Sequence, residues 1–249
     1  METRPILIVG ALKTETNFLI EKIEKCKVIE KLVYTFYEGT IKGYPVVLVK
    51  TGVGLVNAAA ATTLAIEKYN PILILNEGTA GGITVDRHKK DIIIGTEVFN
   101  INSYKTPYKE IGEGSESRDW EFLSFSDGGE DKKTIYKSDE NLAKIAYSIK
   151  DLYKHGNVYK GIIGSGDAWN REKDKLKYLD ERHNVSCEDM EAVAIYIISK
   201  NYNIPVLSIK IMSDNELLGE EYEPQVGLYC QEFAYEVIIT ILKNKERLK

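Results

Sequence analysis

Six short apolar runs punctuate the chain: Ile6 to Val9, Val46 to Val49, Ile72 to Leu75, Ile92 to Ile94, Val158 to Ile163 and Val206 to Met212. Each is bounded by glycine or polar residues, and runs apolar on both faces are what strands look like when helices cover both sides of a sheet. Between them, helical periodicity predicts helices over Val56 to Tyr69, Asp139 to Tyr153, Met190 to Tyr202 and Gln231 to Lys245. A short strand is expected to lead into the third of these helices. Such alternation predicts α/β layering around a central sheet, in one domain spanning 1–249. The segment from Asn102 to Lys133 breaks the pattern, with glycines and serines among many charges. It reads as a surface loop or as a flap or subunit contact over a site, and the pattern leaves both open.

A hydrophobic fraction of 43% beside 29% charged residues fits a protein with a sizeable core, so disorder is not expected. The 38 acidic and 33 basic residues give a net charge of −5 and are mixed along the chain, which leaves no electrostatic footprint for nucleic acid. A small-molecule ligand suits this balance better. Cys26, Cys187 and Cys230 lack disulfide or thiolate-metal spacing and point to a reducing, cytoplasmic setting. No metal or other cofactor is called for, since His88, His155 and His183 show no ligand spacing. Neither a signal peptide nor a membrane span is expected, because no apolar stretch approaches roughly 18 residues.

Four clusters at strand ends could carry chemistry. Gly52-Val53-Gly54-Leu55-Val56-Asn57 follows a strand and opens a helix, as a phosphate-cradling loop or an ordinary tight turn would. Asn76-Glu77-Gly78-Thr79-Ala80-Gly81-Gly82 follows the third apolar run, where open α/β sheets bind ligands against backbone. Cys187-Glu188-Asp189-Met190-Glu191-Ala192 crowds three acids at a helix start; capping accounts for one or two, and Glu191 is the candidate for accepting hydrogen bonds from ribose hydroxyls. Ser213-Asp214 ends the last apolar run.

In order along the chain, Ile8-Val9-Gly10-Ala11 with Glu15, Thr51-Gly52-Val53-Gly54, Gly78-Thr79-Ala80-Gly81-Gly82, Ser165-Gly166-Asp167-Ala168-Trp169, Met190-Glu191-Ala192 and Ser213-Asp214 resemble the methylthioadenosine/S-adenosylhomocysteine nucleosidases of the purine and uridine nucleoside phosphorylase superfamily. The resemblance implies a three-layer αβα sandwich around a central mixed, partly barrel-like β-sheet. It also implies hydrolysis of a purine nucleoside to free adenine and a thio-ribose. Asp214 resembles the general acid that protonates the purine, Ser213 the residue that orients it, Glu15 the water activator and Glu191 the ribose-binding glutamate. Trp169 stands where an aromatic ring meets the base, Asn170 where main chain meets the base edge, and Met190 where a methionine packs on the ribose. Thr79, Ala80 and Gly81 complete the implied substrate site.

The superfamily's phosphorylases hold phosphate with arginines, whereas Ala11 to Phe18 contains none here and Asn76 and Glu77 fill the second place. Water is therefore the expected nucleophile. A homodimer is implied, without nucleic-acid or membrane partners. Other readings are a nucleosidase for aminofutalosine or 5′-deoxyadenosine, a phosphorylase, and a nucleoside-binding regulatory module.

Overall fold

A computed structural model describes residues 3–126, 129–131 and 134–244. In chain order it contains β1 (Ile6–Gly10), α1 (Lys13–Lys22), β2 (Glu24–Lys31), β3 (Tyr34–Ile41), β4 (Tyr44–Lys50), α2 (Leu55–Tyr69), β5 (Leu73–Gly82) and β6 (Ile92–Asn100). Four short strands follow, β7 (Tyr104–Lys105), β8 (Glu121–Phe122), β9 (Ser124–Ser126) and β10 (Gly129–Asp131). The remainder is β11 (Ile135–Lys137), α3 (Glu140–Ser148), β12 (Val158–Ser165), α4 (Lys173–His183), β13 (Val185–Asp189), α5 (Ala192–Asn201), β14 (Val206–Asn215) and α6 (Gly227–Lys243).

All six apolar runs fall in strands of one mixed sheet ordered β11-β6-β12-β13-β5-β1-β4-β3-β2. Strand β14 pairs with both β5 and β6, so β6, β12, β13, β5 and β14 close into a ring. The expected mixed, partly barrel-like sheet is present, and β1 to β4 extend it as an open wing. Along β1 the side chains alternate between two cores. Ile6 and Ile8 join residues of α1, α3 and α6 on one side, while Leu7 and Val9 join those of α2 and α5 on the other. Helices on both faces give the three layers.

Several boundaries differ from the sequence reading. The third apolar run does not end at Leu75: β5 continues through the glycine-rich segment to Gly82, because β13 and β14 pair with it there. The helix expected over Asp139 to Tyr153 stops at Ser148 and is followed by a 3-10 turn at Lys150–Leu152. Helix α5 begins at Ala192 rather than Met190, and α6 spans Gly227–Lys243. Two helices and a hairpin carried no predicted element. Helix α1 buries only Glu15, Thr16 and Leu19, α4 only Leu176 and Leu179, and β2 is an almost wholly exposed strand paired with β3.

Of the Asn102 to Lys133 excursion, residues 127, 128, 132 and 133 lie outside the described residues; aromatic rings of its described part pack beside β6 and α4. Tyr104 stacks on Trp120 at 4.2 Å, and Phe122 meets Phe99 and His183 edge-on at 5.0 and 5.2 Å. Its described residues do not line the cavity discussed below.

Tyr196 ties α5 to the ring of strands. Its buried hydroxyl bonds Ser138 Oγ at 2.7 Å and accepts from the Ser208 amide at 2.9 Å. Tyr196→Phe should strand that amide in the core and cost about 1–3 kcal/mol, read as a lower urea midpoint with an unchanged slope.

Candidate active site

Gly81 is the pivot of the site. On one side β13 places Glu188 opposite it, and on the other β14 places Asp214 opposite it. Asp214 reaches that register through a bulge at Ser213, since Met212 pairs with Ala80 and Asp214 with the very next residue of β5. Without the extra residue Asp214 would face the other side of the sheet, and re-aiming a side chain is what a bulge does. A Cβ built on Gly81 would lie 3.4 Å from Asp214 Oδ2 and 3.7 Å from Glu188 Cγ. The missing side chain thus leaves a flat floor between two carboxyl groups.

That floor belongs to a cavity of about 700 Å³, open mouth included, a volume typical of small-molecule sites. Glu15, Thr79, Ala80, Gly81, Trp169, Met190, Glu191, Ser213 and Asp214 all line it, together with Glu188, Asp189 and Tyr222. The four strand-end clusters of the sequence therefore meet in one place. Asn170 stands apart: it is not a lining residue, and its main-chain and side-chain nitrogens both donate to Glu188, at 3.0 and 2.6 Å. Trp169 stands half exposed at the mouth, edge-on to Tyr222 at 5.3 Å.

Glu15 sits at the third position of α1, where a carboxylate is favoured by the orphan amides of the first helical turn. Oε2 accepts from the Ala11 and Leu12 amides at 3.2 and 2.9 Å. Oε1 accepts from the Thr79 amide and hydroxyl, both at 2.7 Å. Four donors occupy the four lone-pair directions of a carboxylate. A water activated here must pass its proton through the Thr79 hydroxyl or take that hydroxyl's place.

The remaining acids divide their roles. Asp189 is the capping acid: both of its oxygens accept from the Ala192 amide at the start of α5, while Oδ2 pairs with Lys210 Nζ at 2.8 Å. Glu191 Oε1 accepts from the Gly54 amide at 2.9 Å, and Asp167 Oδ1 from the Leu55 amide at 2.7 Å. The Gly52-Val53-Gly54 turn is accordingly a carboxylate-held turn, its helix N-terminus already supplied with anions. Burial, reinforced by Asp189, pushes the Glu191 carboxyl up to about 7 against the pull of Lys210. Burial also raises Asp214, opposed by its 2.8 Å bond from the Ser213 hydroxyl. Ser213 Oγ lies 3.2 Å from the Ala80 carbonyl as well, but it has one proton to give. It serves Asp214 when that carboxyl is ionised and is free for Ala80 when Asp214 carries its own proton.

Sequence reasoning missed Lys210 and the role of Glu77. Lys210 is 2% exposed within a run read simply as apolar strand. Burial alone would lower its pKa, yet Asp189, Glu191 and Glu15 raise it and keep it charged. Glu77 is buried, neither of its oxygens has a hydrogen-bond partner by geometry among the described residues, and burial, with Glu15 nearby, lifts it well above the carboxylate range. It stands behind the site rather than in its lining. The nearest signal in the sequence was a charged residue inside each strand, which becomes informative only with the register.

A sequence profile described as the phosphorylase superfamily matches residues 5–239. The chain belongs to the phosphorylase superfamily. It is an enzyme of N-glycosidic bond cleavage, and its full-length curated relatives are nucleosidases. One, the 5′-methylthioadenosine/S-adenosylhomocysteine nucleosidase of Bacillus cereus, is 27% identical over 98% of this chain and 99% of its own. Among solved structures, the nucleosidase of that name from Neisseria meningitidis, in complex with methylthio-immucillin-A, aligns with a TM-score of 0.77 at 23% identity, over 94% of this chain and 98% of that one. The Colwellia psychrerythraea nucleosidase in complex with adenine aligns at 0.77 and 24%, over 96% of each chain. A futalosine hydrolase of Helicobacter pylori shares the fold at 0.74 and 16% identity, over 97% of this chain and 99% of that one.

Removing the buried cation tests this charge arrangement. Lys210→Met leaves Asp189 without its partner and should cost about 3–5 kcal/mol of stability, whereas Lys210→Arg should cost less. Chemical denaturation of the two variants against the parent measures both.

Proposed function

We propose that the chain hydrolyses the N-glycosidic bond of 5′-methylthioadenosine and S-adenosylhomocysteine, releasing adenine and the thio-ribose. The observation that carries this reading is the meeting of Glu15, Glu191 and Asp214 in one cavity that no lysine or arginine lines among the described residues. Cleavage of this bond develops positive charge on the sugar and negative charge on the departing base. Carboxylates at the sugar end favour the first, and a protonated carboxyl at the base answers the second.

Asp214, raised by burial, holds a proton closer to neutrality than an exposed aspartate and donates it to the purine. Ser213 orients it. Glu191 accepts hydrogen bonds from the ribose hydroxyls, and Met190, beside it in the lining, packs on the sugar. Glu15, at the sugar end with Thr79, takes the proton of the attacking water. Trp169 supplies an aromatic face to the base, and Ala80 and Gly81 let it lie against the strand. A phosphate dianion among these acids would find no guanidinium or ammonium in the lining, so water is the nucleophile.

The same reading includes a homodimer. Leu12 and Val53 line the cavity and are exposed, and Val56 beside them is 78% exposed. A second copy covering this apolar rim would close the mouth. Sedimentation should then give twice the chain mass, and a monomer under assay conditions would remove this part of the reading.

Base release should proceed equally with and without phosphate across a panel of 5′-substituted purine nucleosides that includes aminofutalosine and 5′-deoxyadenosine. Strict dependence on phosphate would replace the hydrolase with a phosphorylase. Asp214→Asn should keep nucleoside binding and lower turnover by at least ~10²-fold, and Glu15→Gln should fall by ~10²–10⁴-fold. Because Asp214 acts protonated, kcat/KM should decline as pH rises through its raised pKa, and Asp214→Asn should lose that decline.

A further inference from the structure

Glu188 lines the cavity but has no part in the chemistry just described. It is 6% exposed and faces Gly81 from the strand opposite Asp214. Adjacent strands lie ~4.8 Å apart, so the backbones carrying the two acids stand ~9.6 Å apart across the floor, wide enough for a purine ring lying flat between them. The C6 substituent stands at the corner between the N7 edge and the N1 edge of a purine, so a ring with N7 on Asp214 and its sugar edge turned away from both acids brings N1 and that substituent round toward Glu188 on the other side of Gly81. This step rests on the proposed role of Asp214.

The Glu188 carboxyl is held as a recognition group would be. Oε1 accepts from the Asn170 amide and Oε2 from Asn170 Nδ2, which fixes its plane and leaves each oxygen one free lone pair. The Asn170 main-chain amide is thereby spent, so a base edge arriving here meets a carboxyl group rather than that amide. A carboxyl group changes its hydrogen-bonding pattern with its proton. Ionised, it only accepts; protonated, it donates from one oxygen and accepts at the other.

We propose that Glu188 reads the base, accepting N1–H of a 6-oxopurine when ionised and, when protonated, donating to N1 and accepting from the 6-amino group of adenine. One site then takes both purine classes, and 6-oxopurine nucleosides are substrates alongside adenine nucleosides. The groups around Glu188 set the balance. Burial raises its carboxyl to about 7, opposed by the two bonds from Asn170 and by Lys175 on α4 and aided by Asp214 on β14. Cys187 and Asp189 flank it on its own strand, and β5 presents only Gly81. Both forms are therefore populated near neutral pH.

The test compares kcat/KM for 5′-methylthioadenosine and 5′-methylthioinosine from pH 5.5 to 8 in the parent, Glu188→Gln and Glu188→Val. Their ratio cancels the pH dependence of the steps that both substrates share. In the parent the 6-oxo to 6-amino ratio should climb with pH by up to about tenfold per unit, the limit for a single proton. In both variants it should be flat, which loss of a merely structural tie to Asn170 would not produce. Release of adenine with a ratio that is flat in the parent, or that still climbs in Glu188→Gln, overturns the role of Glu188 and leaves the hydrolase standing. Release of neither base overturns both.

Discussion

One buried ammonium group organises the acidic end of this fold. Lys210 sits inside β14, pairs with Asp189 at 2.8 Å and lies within electrostatic reach of Glu191 and Glu15. Uncompensated charges in a protein interior are prohibitive, so the carboxyl groups on β13, α1 and the turn before α5 can gather only because this cation stands behind them. Its position behind the floor rather than in the cavity matters equally. It stabilises the acids without presenting a positive surface to the ligand.

Site and scaffold share residues throughout. Glu15 satisfies the first amides of α1 and at the same time ties that helix to Thr79 on β5. Glu191 holds the turn into α2, Asp189 caps α5, and Gly81 is both a strand residue and the surface on which a planar ring can rest. The ring of strands gives these contacts their precision. Because β5 is paired along its end by β13 and β14, backbone that would otherwise be a pliable glycine loop is held in register.

The architecture was legible where burial is two-sided. Runs such as Ile72 to Leu75 announce strands because both faces meet helices, whereas α1, α4 and β2 bury too little to leave a period. The continuation of β5 was not legible, since glycine weakens a strand locally and long-range pairing alone restores it. Glu15, Glu191 and Asp214 could be picked out of the ordered motifs, but Glu188 and Asp189 looked alike beside them. What separates the cavity-lining carboxyl of Glu188 from the helix cap Asp189 is the register of β13 on β5, and Lys210 gains meaning only from acids contributed by distant parts of the chain.

The hydroxyl of Ser213 links the charge of Asp214 to the backbone of β5. Having one hydrogen for two acceptors, it can serve only one of them at a time, and under the proposed chemistry it would favour Asp214 when that carboxyl is ionised. The proton state of Asp214 would thus be felt by a single hydroxyl rotor and, through it, by the carbonyl of Ala80 on β5.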